Sequence, residues 1–173
     1  MAKILFLCGM PGSGKSTLGK KLAKKLGWGF FDLDARITET TAISPARWIE
    51  QSGEPAFREI ESQTLRALDL SADAVVSCGG GTPCFNDNLG WMKQNGICLF
   101  IDLPLKTIFD RLTQKDGINS RPLVSGENPM LQLEQLWKKR KPFFEQIDWW
   151  EDGLTVDATA LTLKLSADGD QLK

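Results

Sequence analysis

Gly9-Met10-Pro11-Gly12-Ser13-Gly14-Lys15-Ser16 fits the pattern G-x-x-x-x-G-K-[ST] at every fixed position. The apolar run 4–8 precedes this stretch, and leucines at helical spacing follow it over residues 18–26. A strand, a glycine-rich turn and a helix in that order are the context in which this pattern binds phosphate. The stretch therefore predicts that the chain binds a nucleoside triphosphate.

The residue types of this loop indicate how it binds the nucleotide. Its glycines allow backbone N–H groups to face phosphate oxygens, and the helix that follows directs the positive end of its dipole at the same anion. Lys15 is predicted to reach the β- and γ-phosphates, Ser16 to ligate a bridging Mg²⁺, and Thr17 to support the loop or contact the α-phosphate. The alternative is a glycine-rich turn with an exposed lysine. The predicted nucleotide-binding residues are Gly12, Ser13, Gly14, Lys15, Ser16 and Thr17.

Composition restricts the class of protein. The chain has 173 residues, a net charge of -1 and no histidine. This length fits a single domain, residues 1–173, and the charge lacks the basic excess typical of nucleic-acid binders. The lack of histidine excludes Ser-His-Asp relays and the usual zinc ligand sets. We expect a small-molecule partner, no nucleic acid, and proton transfer by carboxylates.

The cellular setting is predicted from the start of the chain and from its cysteines. No charged-then-apolar leader precedes the first strand, and no apolar run approaches the roughly 20 residues of a membrane span. We therefore expect a cytoplasmic monomer that does not enter a membrane. Cys8, Cys78, Cys84 and Cys98 lack metal-site spacing, which favours reduced, buried thiols. The alternative is that Cys78 and Cys84 are reactive.

Apolar segments alternate with helical patterns along the chain. Strands are predicted at 3–8, 29–33, 74–77, 97–102 and 154–156, and helices at 15–26, 45–51, 55–70, 86–94, 105–114 and 129–147. This alternation indicates an α/β fold with a parallel sheet between two helical layers, a three-layer α/β/α arrangement. Such folds bind ligands beyond the carboxyl ends of their strands.

Two segments do not fit the alternating pattern. Residues 115–126 are polar, rich in turn formers and too long for a minimal connection, which predicts a lid. Arg121 in this lid is a candidate to close over the transferring phosphoryl group, a position worth about 10³ to 10⁵ in rate; the alternative is an exposed loop arginine. Beyond Val156, leucines alternate at a period of two, which favours a frayed tail or an edge element over a helix.

Asp32 and Asp34 flank Leu33 at the end of the second predicted strand. A period of two places both carboxylates on one side of a strand, where they require a cation or a donor hydroxyl. We interpret Asp34 as the group that orients an acceptor hydroxyl and takes its proton, and Asp32 as a Mg²⁺ ligand through water. The alternative, equally compatible with the spacing, is a turn in which Asp34 caps a helix over 35–40.

Gly79-Gly80-Gly81-Thr82 follows the third predicted strand directly. A turn needs only one or two glycines, so three indicate close approach of a ligand to the backbone. The alternative is a loop that packs tightly against the phosphate loop.

Two arginines are candidates for binding an acidic substrate. Arg58 lies in a predicted helix, and Glu61 three residues later is placed to pair with it. Arg140 lies in the last predicted helix. If both arginines converge on one carboxylate, each charge-assisted contact contributes about 1.5 to 3 kcal/mol. The alternative is that each arginine is a surface residue.

Together these motifs resemble the shikimate kinase family, from about Lys3 to Asp157. The phosphate loop alone identifies only a superfamily, because gluconate and nucleoside-monophosphate kinases also have it. Those kinases lack the triple glycine, so the full set of motifs points to the shikimate kinase family. The motifs that carry the resemblance are the phosphate loop, Asp32-Leu33-Asp34, Gly53-Glu54, Phe57-Arg58 with Glu61, Gly79-Gly80-Gly81, Arg121-Pro122-Leu123 and Arg140-Lys141-Pro142.

The resemblance implies a nucleoside-monophosphate-kinase-like P-loop fold with strand order 2-3-1-4-5 and an acceptor-binding segment at about 33–61. It implies transfer of the ATP γ-phosphoryl group to the 3-hydroxyl of shikimate, in aromatic amino-acid biosynthesis, with Mg²⁺ as cofactor. The implied roles are Asp34 at the reacting hydroxyl, Arg58 and Arg140 at the shikimate carboxylate, Gly80 and Gly81 in the acceptor pocket, Lys15 and Ser16 at ATP and Mg²⁺, and Arg121 closing onto the phosphates.

The sequence departs from the family pattern at two sites. Thr82-Pro83-Cys84-Phe85 stands where many relatives carry small aliphatic residues, and Phe143-Phe144 replaces the more usual Leu-Tyr. Neither change removes a charged residue to which the resemblance assigns a role.

Two other functions remain open. One alternative is a kinase of the same fold that phosphorylates gluconate or a nucleoside monophosphate. The other is an ATP-binding module without catalysis.

Overall fold

A five-stranded parallel sheet forms the centre of the computed structural model, which describes residues 2–115 and 128–167. The strands are β1 (Ile4–Cys8), β2 (Gly29–Asp32), β3 (Ala74–Ser77), β4 (Ile97–Asp102) and β5 (Trp149–Asp152). Arg121 and the predicted lid beyond Lys115 lie outside the described residues. The order β2-β3-β1-β4-β5 confirms the predicted topology.

The helices cover both faces of the sheet, as the alternating pattern predicts. They are α1 (Lys15–Leu26), α2 (Leu33–Thr41), α3 (Pro45–Arg66), α4 (Asn88–Asn95), α5 (Leu105–Lys115), α6 (Pro129–Phe144) and α7 (Ala158–Ala167), with a short 3₁₀ helix at Thr82–Cys84. The central strand β1 is buried at every residue. Its alternate side chains enter two separate cores, Phe6 facing α2 to α6 and Leu7 facing α1 and α7. The three-layer prediction is therefore confirmed.

Helix α3 contains the two helices predicted over this part of the chain, at 45–51 and 55–70. It runs from Pro45 to Arg66 with an interruption at Gly53, whose φ of 82° and ψ of 163° are not helical. Ser44 caps its start by accepting a hydrogen bond from the Arg47 N–H. The helix also ends four residues before the predicted boundary at 70. Gly53 therefore separates two helical segments, as the two sequence patterns predict.

The predictions for the C-terminal region are wrong in two respects. The fifth strand lies at Trp149–Asp152 instead of 154–156, and a helix, α7, replaces the predicted frayed tail or edge element. Leu161 and Leu165 are buried against the sheet, while Leu163 between them is 67% exposed. The buried pair has the i, i+4 spacing of a helix, which a period-two interpretation of the three leucines overlooks.

Among the described residues, every helix is too short or too polar to span a membrane.

Candidate active site

A cavity of about 740 Å³ opens at the carboxyl ends of the strands. This volume lies within the range of about 300 to 1,000 Å³ that is typical of small-molecule sites. The phosphate loop forms one wall, and Arg111 of α5 lies beside that loop, its Nη1 3.5 Å from the Gly12 and Ser13 carbonyl oxygens. Asp32, Asp34 and the end of β3 form another part of the lining. The predicted nucleotide-binding residues and both aspartates therefore surround one cavity.

The phosphate loop has the conformation that its glycines permit. Gly12 and Gly14 have φ values of 83° and 95°, a region that residues with a Cβ avoid, and α1 begins at Lys15 as predicted. The buried Lys15 side chain turns back over the loop, and its Nζ donates to the Gly9 and Met10 carbonyl oxygens, each at 3.0 Å. The ammonium group and the N-terminus of α1 thus concentrate positive charge in the loop.

Ser16 and Asp32 form the polar group next to the loop. The Ser16 hydroxyl donates to Asp32 Oδ2 at 2.5 Å, and its oxygen is 3.1 Å from the Ser77 hydroxyl. These hard oxygen atoms suit Mg²⁺, which keeps several waters and needs few protein ligands. In the described part of the chain no three His, Cys, Asp or Glu residues cluster to hold a metal by themselves. The residues therefore fit a Mg²⁺ ion shared with a nucleotide.

Asp32 and Asp34 both line the cavity, but the start of a helix places them there and not the alternation of a strand. Strand β2 ends at Asp32, which caps α2 by accepting the Ala35 N–H at 3.2 Å, and Asp34 lies in the first turn of that helix. Both the same-side strand argument and the alternative of Asp34 as cap are wrong. The exposed Asp34 carboxylate still reaches the glycine loop, because a Cβ atom on Gly79 would lie 3.2 Å from its Oδ1. Asp34 therefore faces the cavity beside the triple glycine.

Arg58 is held rigidly by two carboxylates. Its Nη1 donates to Glu61 Oε2 at 2.7 Å, and its Nη2 donates to Glu54 Oε1 at 2.9 Å. The predicted pairing with Glu61 is confirmed, and that carboxylate is fully buried. Burial by itself lowers the pKa of Arg58, but Glu61 and Glu54 outweigh burial and raise the pKa above its ordinary value. Arg58 is thus a fixed cation.

Arg140 is also buried, but in the part of the chain that the structure describes it lacks the carboxylate partners that hold Arg58. The residue is only 2% exposed, and within the described residues its Nη1 has no hydrogen-bond partner. Burial and the nearby Arg58 charge lower the pKa of Arg140 to about 10, so the guanidinium is still charged at neutral pH. A buried, unpaired charge is costly, and a bound anion removes that cost.

The two arginines converge on Gly81. A Cβ atom there would lie 2.6 Å from Arg58 Nη2 and 2.9 Å from Arg140 Nη2. Gly80 is tight for another reason, since its Cβ would lie 2.6 Å from Pro11 Cδ in the phosphate loop. Gly80 thus packs on the phosphate loop, as the alternative interpretation of the sequence predicts, and Gly81 leaves space for the guanidinium groups. Close approach of a ligand to this backbone stays a prediction.

Replacing Gly81 with alanine is expected to displace the arginines. The φ of -116° suits alanine, so the effect is steric, and misplacing binding groups by about 1 Å costs roughly 10²-fold in catalysis. We expect acceptor use to fall by that factor while nucleotide affinity is retained. Steady-state kinetics with varied acceptor, and then with varied ATP, separate the effect on acceptor use from the effect on nucleotide affinity. Gly29→Ala is the matched control, because its Cβ would make only ordinary contacts of 3.5 Å or longer. Equal kinetics for Gly81→Ala and Gly29→Ala would contradict this geometry.

The cysteines are buried free thiols, as predicted from their spacing. Burial raises the pKa of the Cys84 thiol to about 11, although the charges of Arg140 and Arg58 oppose that shift. A thiol with such a pKa is protonated at neutral pH and is a poor nucleophile. The alternative of a reactive thiol is therefore not supported for Cys84.

The hydrogen bonds and ion pairs of several polar residues in the site were not predicted from the sequence. Asn88 and Thr82 are fully buried in the hydrogen-bond network behind the glycine loop. No short-range pattern marks Asn88. Glu54, in contrast, stands four residues before Arg58, a helical spacing that predicts an ion pair. Thr17 is exposed and lines the cavity, while Arg121 lies outside the described residues.

Comparison with known proteins gives consistent matches. The profile of the family described as shikimate kinase matches residues 11–159. The shikimate kinase of Bacteroides fragilis is 37% identical over 148 residues, which are 84% of this chain and 82% of that protein. The shikimate kinase of a Synechococcus species, strain RCC307, is 39% identical over 144 residues, 83% of this chain and 72% of the relative.

Solved structures give the same result. Shikimate kinase from Acinetobacter baumannii in complex with shikimate superposes with a TM-score of 0.87 and 30% identity, over 100% of this chain and 97% of that one. The similarity therefore includes the topology and extends over most of the length of the chain.

Proposed function

This chain belongs to the shikimate kinase family, and we propose that it transfers the γ-phosphoryl group of ATP to the 3-hydroxyl of shikimate, producing shikimate 3-phosphate and ADP. The observation that carries the proposal is the buried pair Arg58 and Arg140 beside Asp34 and the phosphate loop. The reaction belongs to aromatic amino-acid biosynthesis.

The acceptor carboxylate binds between the two arginines. Arg58 is oriented in advance by Glu54 and Glu61, so little side-chain entropy is lost when the acceptor binds. Arg140 Nη1 obtains the hydrogen-bond acceptor that it lacks among the described residues. Each charge-assisted bond contributes about 1.5 to 3 kcal/mol. An acceptor without a carboxylate would leave the buried charge of Arg140 uncompensated, which gives the site its selectivity.

Asp34 orients the reacting hydroxyl and takes its proton. The acceptor oxygen forms a bond to the γ-phosphorus, the bond from that phosphorus to the β,γ-bridging oxygen breaks, and the hydroxyl proton moves to the Asp34 carboxylate. Because the transition state of phosphoryl transfer is loose, the protein acts mainly by positioning and by neutralising charge. Gly80 and Gly81 bring the backbone of the glycine loop close to the acceptor.

The nucleotide occupies the cavity over the phosphate loop. Backbone N–H groups of Gly12 and Gly14 hold the phosphates, while Ser13, whose own N–H donates to the Met10 carbonyl oxygen, keeps the loop in its conformation. Lys15 Nζ exchanges its carbonyl partners for β- and γ-phosphate oxygens. Ser16 and Asp32 are the residues that would hold Mg²⁺, the latter through water. When bound, this ion neutralises charge on the β- and γ-phosphate oxygens.

Further predictions from the sequence remain part of the proposal. Thr17 supports the loop or contacts the α-phosphate, and Arg121 closes onto the phosphates from a lid at 115–126. The segment 33–61, which includes α2 and most of α3, binds the acceptor. We propose a single-domain, cytoplasmic, monomeric enzyme that does not bind nucleic acid or membranes.

The proposal is tested by ADP release from the purified protein with Mg²⁺ and ATP. Shikimate, gluconate and adenylate are compared as acceptors, each against a reaction without acceptor. We expect stimulation by shikimate alone. Stimulation by gluconate or adenylate, but not by shikimate, would assign another acceptor, and no stimulation by any of them would favour a non-catalytic module.

A further inference from the structure

We propose that Thr82 is a positioning residue for the acceptor carboxylate, acting through Glu61 on Arg58. The inference rests on the proposed function, because it assigns a role within the shikimate site.

The Thr82 side chain completes the hydrogen bonding of a buried carboxylate. Its hydroxyl donates to Glu61 Oε1 at 2.7 Å, while Arg58 Nη1 donates to Glu61 Oε2, also at 2.7 Å. Both Thr82 and Glu61 are 0% exposed. Each carboxylate oxygen thus has its own donor on a different side, and this fixes the rotation of the Glu61 carboxylate.

The threonine is itself anchored by the backbone around it. Its N–H donates to the Gly79 carbonyl at 3.2 Å, and its carbonyl accepts from Asn88 Nδ2 at 3.0 Å. Asn88 Oδ1 in turn accepts from the Ser62 hydroxyl at 2.8 Å. The hydroxyl of Thr82 therefore projects from a rigid point that joins the glycine loop to helices α3 and α4.

Removing the hydroxyl changes where the Arg58 guanidinium lies. Glu61 Oε1 would lose its donor in a site without water access, and a buried acceptor without a donor is costly. The carboxylate then turns to share both oxygens with Arg58, since a guanidinium readily accepts such bidentate pairing. This draws Arg58 away from Gly81, the point at which it meets Arg140.

Thr82→Val tests the role, because valine matches threonine in shape but has no hydroxyl. We expect the KM for shikimate to rise about 10-fold to 100-fold, the range for a hydrogen bond to a charged group. The kcat and the KM for ATP are expected to stay within about twofold of the unmodified protein, because the change acts on carboxylate binding. Thr82→Ser, which keeps the hydroxyl, is expected to restore the KM for shikimate.

Two controls separate positioning from a general loss of structure. Thr162→Val removes a threonine hydroxyl that donates to the Ala158 carbonyl in α7 and is expected to change neither KM. The second control is a shikimate analogue with a hydroxymethyl group in place of the carboxylate. With this weak acceptor, Thr82→Val and the unmodified protein are expected to have equal kcat/KM.

The outcomes distinguish this inference from the proposed function. If the unmodified protein does not use shikimate, the proposed function fails. If that protein is active but Thr82→Val keeps its KM for shikimate, or loses activity equally with the analogue, the positioning role is wrong. Should Thr82→Val not fold, Thr82→Ala removes the same hydroxyl with less bulk, and the same comparisons apply.

Discussion

Asp34→Asn is expected to lower kcat by about 10² to 10⁴, the usual contribution of a positioned general base. Asparagine keeps the size of the side chain and its place in the first turn of α2, but it cannot take the proton of the reacting hydroxyl. The carboxylate is exposed to the cavity, so the folded state should be retained. ATP affinity should also be retained, because the proposed nucleotide contacts come from the phosphate loop.

Single-turnover phosphoryl transfer, with nucleotide binding followed separately, measures this loss. Asp148→Asn is the matched control, since that side chain is 90% exposed and pairs only with Lys93 among the described residues. Asp148→Asn is expected to change neither the rate of phosphoryl transfer nor the affinity for nucleotide. Near-normal turnover by Asp34→Asn would remove Asp34 from its assigned role.

Arg140→Met is expected to impair the acceptor site and to stabilise the free protein at the same time. Loss of the guanidinium should raise the KM for shikimate by about 10-fold to 100-fold, the range for a charge-assisted bond. Methionine also removes a buried charge that has an unsatisfied Nη1 and lies next to Arg58. Replacing buried charged groups by apolar ones can stabilise a protein by about 1 to 4 kcal/mol.

Thermal unfolding with and without shikimate measures both effects. The free variant should have a higher Tm than the unmodified protein, and shikimate should raise the Tm of the unmodified protein much more than that of the variant. Lys139→Met, at the exposed neighbour on α6, is expected to leave the response to shikimate unchanged. A lower Tm with an unchanged KM would mean that Arg140 is only structural.

The sequence predicts the structure around the phosphate loop well because that structure is local. Strand, loop and helix are contiguous, so the pattern around Lys15 contains the whole supersecondary unit. The sheet follows from the alternation of strands and helices, and its order from the family resemblance. Arg58 and Glu61 are likewise three residues apart, a spacing within one helix turn.

Other features could not be predicted because they depend on contacts distant in sequence. Whether residues after Asp32 continue a strand or start a helix is decided in part by burial of Leu33 and Ile37 in the core. The cap from Asp32 to the Ala35 N–H is local, and it is a signal that the sequence does offer. The helix α7 is stabilised by burial of Leu161 and Leu165 on α1 and the sheet. The bond between Thr82 and Glu61 joins residues 21 positions apart, and no periodic pattern indicates it.

The central claim is that the buried arginine pair recognises the carboxylate of the acceptor. Calorimetric titration of the unmodified protein with shikimate, and with its hydroxymethyl analogue, tests this claim most directly. We predict that shikimate binds about 10²-fold more tightly than the analogue, since the analogue provides no carboxylate for the arginine pair and leaves the buried charge of Arg140 uncompensated. Equal affinity for the two compounds would contradict the account and would require the acceptor to bind away from Arg58 and Arg140.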